Sequence, residues 1–245
     1  MELIINNTDT LILCGGKGTR LKSIVPVKPK ILADINGQPF IEYLLNYLES
    51  SGIRRVILCT GYGHHLIEEW IDSSYSGVLE ILFSREKESL GTAGAIKNAQ
   101  CLIKSDDFLV INGDTLIPLD YLDFVRFYYN KEATGLLALT KVNQAREYGC
   151  VKIDSGNRID SFCEKPQTDN TEAGLVNAGV YMFNKVVFDF IPQKFNVSLE
   201  KDILPLLLDK FSNNFYGFVT TDSFIDIGTP KNYSKAQNQL KKYFL

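Results

Sequence analysis

Thr10-Leu11-Ile12-Leu13-Cys14-Gly15-Gly16-Lys17-Gly18-Thr19-Arg20-Leu21 is a short apolar run that ends in glycines and cations, and Pro29-Lys30 follows shortly after. A strand that runs into glycines and then a cation is a common way to hold phosphate. Glycines let backbone N–H groups approach phosphate oxygens with no Cβ in the way. Arg20 adds a planar fork that matches those oxygens. Lys30 brings a second charge from a segment that Pro29 stiffens. Two familiar phosphate loops do not fit. The kinase-type loop needs Gly-Lys-Ser/Thr at its end, and here Lys17 comes too early. The dinucleotide fingerprint needs a glycine where Leu21 stands. An ordinary glycine-rich turn accounts for the glycines alone equally well; Thr19, Arg20 and Lys30 favour phosphate.

The 245 residues, 45% apolar and 22% charged, support one large or two small packed cores, and one is expected. A net charge of −3 offers no basic surface to nucleic acid. A small anion in a local cationic pocket fits better. No apolar run approaches the roughly twenty residues of a membrane span, and the N-terminus lacks the regions of a signal peptide. The five cysteines are scattered with no C-x-x-C pair, and most are expected to be buried, reduced thiols. A cytoplasmic protein follows, and a monomer and a homo-oligomer are both compatible with it.

The first half alternates strand and helix. Strands are expected at Arg55–Thr60, Leu79–Phe83 and Phe108–Asn112, and helices at Pro39–Ser51, His65–Ser73 and Thr92–Ile103. That repetition predicts an open parallel sheet with helices on both faces. The second half is richer in strands: Gly135–Val142, Val151–Ile153, Ile159–Glu164, Val176–Phe183 and Phe215–Thr220, with a hairpin turn at Ser155-Gly156-Asn157 and a polar loop at 169–172. Helices return at Leu199–Lys210 and Pro230–Tyr243, the last with Thr229 as its cap.

Gly15-Gly16-Lys17-Gly18-Thr19-Arg20-Leu21 followed by Pro29-Lys30 resembles the signature of the sugar-1-phosphate nucleotidyltransferases. Lys22-Ser23 stands where many members carry a proline. The resemblance runs through nearly the whole chain. It implies a single Rossmann-like, GT-A-like α/β domain over residues 1–245 with a mixed, mostly parallel sheet. Nucleotide would lie over residues 1–115 and sugar over 116–245. Such enzymes join a nucleoside triphosphate to a sugar 1-phosphate and release pyrophosphate, with Mg²⁺ as cofactor.

The same resemblance assigns roles. Leu13, Gly15, Gly16, Gly18, Thr19, Arg20, Lys30, Gly91, Thr92 and Gly113 would bind nucleotide, with Leu90-Gly91-Thr92-Ala93-Gly94 reading the base. Read by position alone, Asp114 of Asn112-Gly113-Asp114 is a strand-ending acid, which often caps a turn. Asp226 of Phe224-Ile225-Asp226-Ile227-Gly228 is an acid between apolar neighbours, costly unless paired or metal-bound. The resemblance makes both Mg²⁺ ligands. It places Gly149, Glu164, Lys165, Asn177 and Gly179 against the sugar phosphate. Arg20, Lys30, Asp114, Lys165 and Asp226 would be the catalytic set. Glu200-Lys201-Asp202 fits a position near the site, and a solvated face explains it as well. The adjacent His64 and His65 are expected at a surface helix start. Taken in order, the motifs most resemble the bacterial D-glycero-α-D-manno-heptose 1-phosphate guanylyltransferases. Mannose-1-phosphate guanylyltransferases and uridylyltransferases share most of them. A metal-dependent glycosyltransferase or an inactive nucleotide-binding subunit are the other classes.

Overall fold

A computed structural model describes residues 1–143, 148–164, 173–193, 196–221 and 224–244, without the side chains of 164 and 242–244. Lys165 and the polar loop at 169–172 lie outside the described residues. Among the described residues nine strands form the main sheet: β1 Asp9–Leu13, β2 Arg55–Thr60, β3 Glu80–Arg85, β4 Asp107–Asn112, β5 Gly135–Val142, β6 Gly149–Ile153, β7 Ile159–Glu164, β8 Gly174–Asn184 and β9 Phe215–Thr220. The helices are α1 Glu2–Asn6, α2 Phe40–Ser50, α3 His64–Ser74, α4 Gly91–Asn98, α5 Tyr121–Asn130, α6 Leu204–Lys210 and α7 Pro230–Phe244.

The sheet path runs β7-β6-β8-β4-β1-β2-β3, and β5 and β9 extend from β8. Its heart, β4-β1-β2-β3, is parallel. Strands β8 and β7 run against the other seven. Parallel strands covered on both faces must be apolar on both, and β1, β2 and β4 are buried almost throughout. Their side chains alternate between two cores. Ile12, Val56, Leu58, Leu109 and Ile111 pack with Leu44 and Leu48 of α2 and Ala236 and Leu240 of α7. Leu11, Ile57, Phe108 and Val110 pack on the other face with Ala95 and Ile96 of α4 and Leu204 and Leu207 of α6.

Two expected helices are shorter than their apolar periodicity suggests. The stretch from Thr92 stops as α-helix at Asn98, where the Ala99 N–H bonds both Ala95 and Ile96 carbonyls and the chain tightens into a 3₁₀ turn, Gln100–Leu102. The stretch from Leu199 begins as a π-helical turn, Leu199–Ile203. Pro205 confines the regular helix to α6, because a proline is tolerated only in the first turn. The hairpin at Ser155-Gly156-Asn157 forms as expected: Asp154 Oδ1 accepts the Gly156 and Arg158 N–H groups, both at 2.8 Å, and Asn157 takes φ +67°. Thr229 caps α7 through the Asn232 N–H at 3.2 Å. Of the cysteines, Cys14 and Cys59 are buried, Cys150 is half-buried, and Cys101 and Cys163 are exposed, so burial covers fewer thiols than the apolar runs implied. No helix among the described residues is long and apolar enough to cross a membrane.

Candidate active site

In open α/β sheets ligands sit beyond the carboxyl ends of the strands. Here β1 and β4 end side by side at Leu13 and Asn112, and the loops that leave them enclose a cavity. Leu13, Gly15, Gly16, Gly18, Lys30, Gly91, Thr92, Gly113 and Asp114 all line it. The glycines are required by close approach. A Cβ on Gly113 would stand 2.7 Å from the Leu13 carbonyl oxygen. One on Gly91, which has φ +73°, would stand 2.4 Å from the Val197 carbonyl oxygen.

Thr19 and Arg20, in a short 3₁₀ turn, are exposed. Neither lines this first cavity; Arg20 instead borders the second, described below. Glu86, which the sequence did not single out, does line the first cavity. Its Oε2 accepts the Leu90 N–H at 3.2 Å, and its Oε1 lies 2.8 Å from where a Gly15 Cβ would be. Burial raises its pKa, opposed by the Leu90 hydrogen bond. Glu86 stands one residue past the end of β3 and four before Leu90, and no local pattern marks it in the sequence. Burial also pushes the Cys14 thiol up, so this cavity's cysteine is a neutral wall rather than a nucleophile.

A two-stranded ribbon joins the distant acids. Thr115–Leu116 pairs antiparallel with Ile225–Asp226, with Asp226 opposite Thr115, and the Ile227 N–H donates to the Asp114 carbonyl at 3.0 Å. A Cβ on Gly228 would lie 2.8 Å from Asp226 Oδ1 and 3.5 Å from Asp114 Oδ2, so both carboxylates border one small space. Lys30 Nζ makes an ion pair with Asp114 Oδ2. Asp226 Oδ1 accepts the Gly228 N–H at 2.5 Å, and Oδ2 accepts Asn232 Nδ2 at 2.8 Å. Burial and then the neighbouring Asp114 raise the Asp226 pKa; the Gly228 and Asn232 hydrogen bonds and Lys30 oppose them. Two mutually repelling carboxylates with free oxygen lone pairs suit a hard divalent cation that takes its remaining ligands from water and phosphate. Among the described residues no group of three or more His, Cys, Asp or Glu forms a fuller cage.

Asn112 and Asp114 also form a wall of the second cavity, which Arg20, Thr115, Tyr148, Gly149, Asn177, Gly179, Glu200, Phe224 and Asp226 complete. A bulge in β8 aims its residues there. Between the pairs Asn177–Leu139 and Tyr181–Leu137 the register with β5 shifts, which turns Ala178 and Gly179 toward the cavity. Gly179 has φ +74°, and a Cβ on it would meet Asn112 Nδ2 at 2.7 Å. Its N–H donates to Asn177 Oδ1 at 3.0 Å and so orients that amide. Glu164 pairs with Gly149 across the β6–β7 ladder, which sets its backbone beside the cavity. Tyr148 and Phe224 meet edge to face with ring centres 5.0 Å apart. No local cue marks Phe224 as a wall residue, because its partner Tyr148 lies far along the chain.

Known proteins resemble this chain along nearly its whole length. The chain is 38% identical over 235 residues to a D-glycero-α-D-manno-heptose 1-phosphate guanylyltransferase from Aneurinibacillus thermoaerophilus, covering 96% of this chain and 99% of that one. It is 35% identical to a mannose-1-phosphate guanylyltransferase from Mycobacterium tuberculosis, covering 96% of this chain and 65% of that longer protein. The crystal structure of HddC from Yersinia pseudotuberculosis in complex with GMP-PN superposes with a TM-score of 0.81 at 37% identity, covering 95% and 99% of the two chains. The family model described as nucleotidyl transferase matches residues 9–243, and the chain belongs to that family.

Proposed function

We propose that this protein transfers a guanylyl group from GTP to D-glycero-α-D-manno-heptose 1-phosphate, giving the GDP-sugar and pyrophosphate. The observation that carries this is the shared wall. Asp114, with Lys30 and Asp226 beside it, stands where the glycine-lined cavity meets the Asn177–Gly179 cavity. Two anionic substrates seated on either side would meet there.

In the reaction a sugar-phosphate oxygen forms a bond to the α-phosphorus of the triphosphate, and the bond from that phosphorus to the α,β-bridging oxygen breaks. Pyrophosphate leaves with the electron pair. The attacking phosphate is already anionic at neutral pH, so no general base is required. The chain's task is to offset repulsion between two anions and align them. The loop from Gly15 to Gly18 presents backbone to the triphosphate. Lys30 faces the charge that develops at the α-phosphate, and Arg20, at the rim of the second cavity, faces the same junction from the sugar side. Lys165 would hold the acceptor phosphate. Gly149, Glu164 and Asn177 would fix the sugar. Asp114 and Asp226 would hold Mg²⁺, which would supply Lewis-acid charge to the reaction.

Glu86 supports guanine over the other bases. A carboxylate is acceptor-only, and guanine alone presents two adjacent donors, N1–H and the N2 amino group, on one edge. The deciding experiment is a pyrophosphate-release assay with Mg²⁺, crossing four nucleoside triphosphates with a panel of sugar 1-phosphates. Turnover with GTP and the heptose phosphate is expected. Turnover only with UTP overturns guanylyl transfer, and turnover with GTP and mannose 1-phosphate alone overturns the heptose assignment.

A further inference from the structure

Strands β6 and β7 carry one cysteine each, and their antiparallel ladder sets the two directly opposite. Cys150 faces Cys163, with Val151 opposite Phe162 on one side of them and Gly149 opposite Glu164 on the other. The side chains of Val151 and Phe162 pack into the core that holds α4 and α6. Side chains alternate along a strand, so Cys150 and Cys163 both stand on the other face of the hairpin. Cys163 is exposed there and Cys150 is half-buried. Burial first, and then the neighbouring Cys163, raise the pKa of the Cys150 thiol. The other cysteines are placed differently. Cys14 and Cys59 are buried, and the Cys14 thiol donates to the Cys59 carbonyl at 3.2 Å. Cys101 is exposed in the 3₁₀ turn Gln100–Leu102, outside the sheet.

The facing pair belongs to the frame of the second cavity. Tyr148 and Gly149, the two residues before Cys150, line that cavity, and the Cys150 thiol donates to the Tyr148 carbonyl at 4.0 Å. On its other side Cys150 pairs with Val176 of β8, next to the cavity residue Asn177. Directly opposed residues of an antiparallel pair hold their Cβ atoms about 4.5–5.5 Å apart, and a disulfide holds them about 3.8 Å apart. A bridge between Cys150 and Cys163 would therefore close by drawing the two strands together by about 1 Å. The backbone at Gly149 and Glu164 would move with them. A seat that places its ligand to within about 0.5 Å does not keep its geometry through such a shift.

We infer that Cys150 and Cys163 form a redox-sensitive modification site, which a low-molecular-weight disulfide oxidises to a bridge that weakens the sugar-phosphate seat and spares the nucleotide seat. Cys163, the exposed thiol, loses its proton to water and attacks one sulfur of the oxidant. The oxidant's S–S bond breaks, one thiolate leaves with the electron pair, and a mixed disulfide remains on Cys163. Cys150 then loses its proton and attacks the Cys163 sulfur, and the second thiolate leaves. The two protein thiols have given up two electrons and two protons, and the oxidant has become two thiols. A reduced dithiol reverses both steps. The effect on the sugar phosphate rests on the function proposed above; formation of the bridge does not.

The test treats the full chain with oxidised glutathione, alkylates the remaining thiols and maps the cross-links by mass spectrometry. A peptide pair joined through Cys150 and Cys163 is expected, with Cys101 carrying at most glutathione. Pyrophosphate release then reads each substrate separately. In the bridged enzyme the KM for D-glycero-α-D-manno-heptose 1-phosphate should rise about tenfold, the KM for GTP should stay within about twofold of the reduced value, and dithiothreitol should restore the first. Cys150→Ser and Cys163→Ser should keep the KM values of the reduced enzyme and lose the response to oxidant, and Cys101→Ser should keep that response. The inference is overturned if no Cys150–Cys163 bridge forms, if the bridge leaves the sugar-phosphate KM unchanged, if both KM values rise together, or if Cys163→Ser still responds. If the bridge forms but GTP and the heptose phosphate are not turned over, the functional assignment falls instead, and the same comparison on the pair of substrates that is turned over decides whether the bridge weakens the sugar-phosphate seat.

Discussion

At the scale of single residues, the acidic pair is a costly arrangement, because two carboxylates repel each other in a partly buried place. Asp226 is half-buried beside Asp114, and the hydrogen bonds from Gly228 and Asn232 and the nearby Lys30 compensate. Asp114→Asn keeps the shape and removes the charge. It should cut kcat by about a thousandfold, as loss of a group that stabilises transition-state charge does, with the circular dichroism spectrum unchanged. The raised Asp226 pKa has a definite sign. The native state holds this proton more tightly than the unfolded chain, so the stability that the protonated group contributes is lost as pH rises through the native value. Metal binding needs the ionised form and runs the other way. Mg²⁺ affinity, titrated by calorimetry from neutral pH downward, should begin to fall while still above the ordinary aspartate value of about 3.9. Glu86 carries the residue-scale prediction for specificity. Glu86→Gln should lower kcat/KM for GTP by about a hundredfold and narrow its margin over UTP, because the amide offers one acceptor and one donor where guanine needs two acceptors. Glu86 was not legible in the sequence, since nothing local distinguishes an acid at a strand end that faces a cavity from one that faces water.

At the scale of elements, the site depends on places where regular structure gives way. The start of α4 is one. Gly91 combines a left-handed φ with contact against the Val197 carbonyl. Gly91→Ala should destabilise the fold by about 1–3 kcal/mol in chemical denaturation and raise the KM for GTP, since the adjoining Thr92 shifts with it. The β8 bulge is another, because a strand of regular period would have placed Asn177 and Gly179 on fixed alternate faces. Local composition finds regular elements well: β5, β7 and β9 span the residues expected of them. It passes over the bulge and the π turn, which arise from pairing and packing with distant chain. It also passed over α5, although Asp120 caps it by accepting the Asp123 N–H at 2.9 Å and Tyr121, Phe124, Val125 and Tyr128 follow at helical spacing. That run of aromatic and β-branched residues reads locally as strand.

At the scale of the whole molecule, two apolar cores on opposite faces of one sheet hold the cavities' strand ends in place. Phe108 stands on the β4 strand that leads to Asp114, and it stacks on Phe188 with ring centres 5.1 Å apart. Phe108→Ala should cost about 3–5 kcal/mol in denaturant unfolding, the usual penalty for a deleted buried ring. The sequence by itself determined the apolar strands, most helices and the glycine-rich loop that lines the first cavity, because these depend on neighbours within a turn or a strand. Only the tertiary structure decided that Asp114 and Asp226 share one space, that Arg20 borders the second cavity and not the first, and that Thr92 reaches Glu200 across 108 residues of chain. Those are matters of register and strand order, which are fixed when the two cores close around the sheet and which no local pattern encodes.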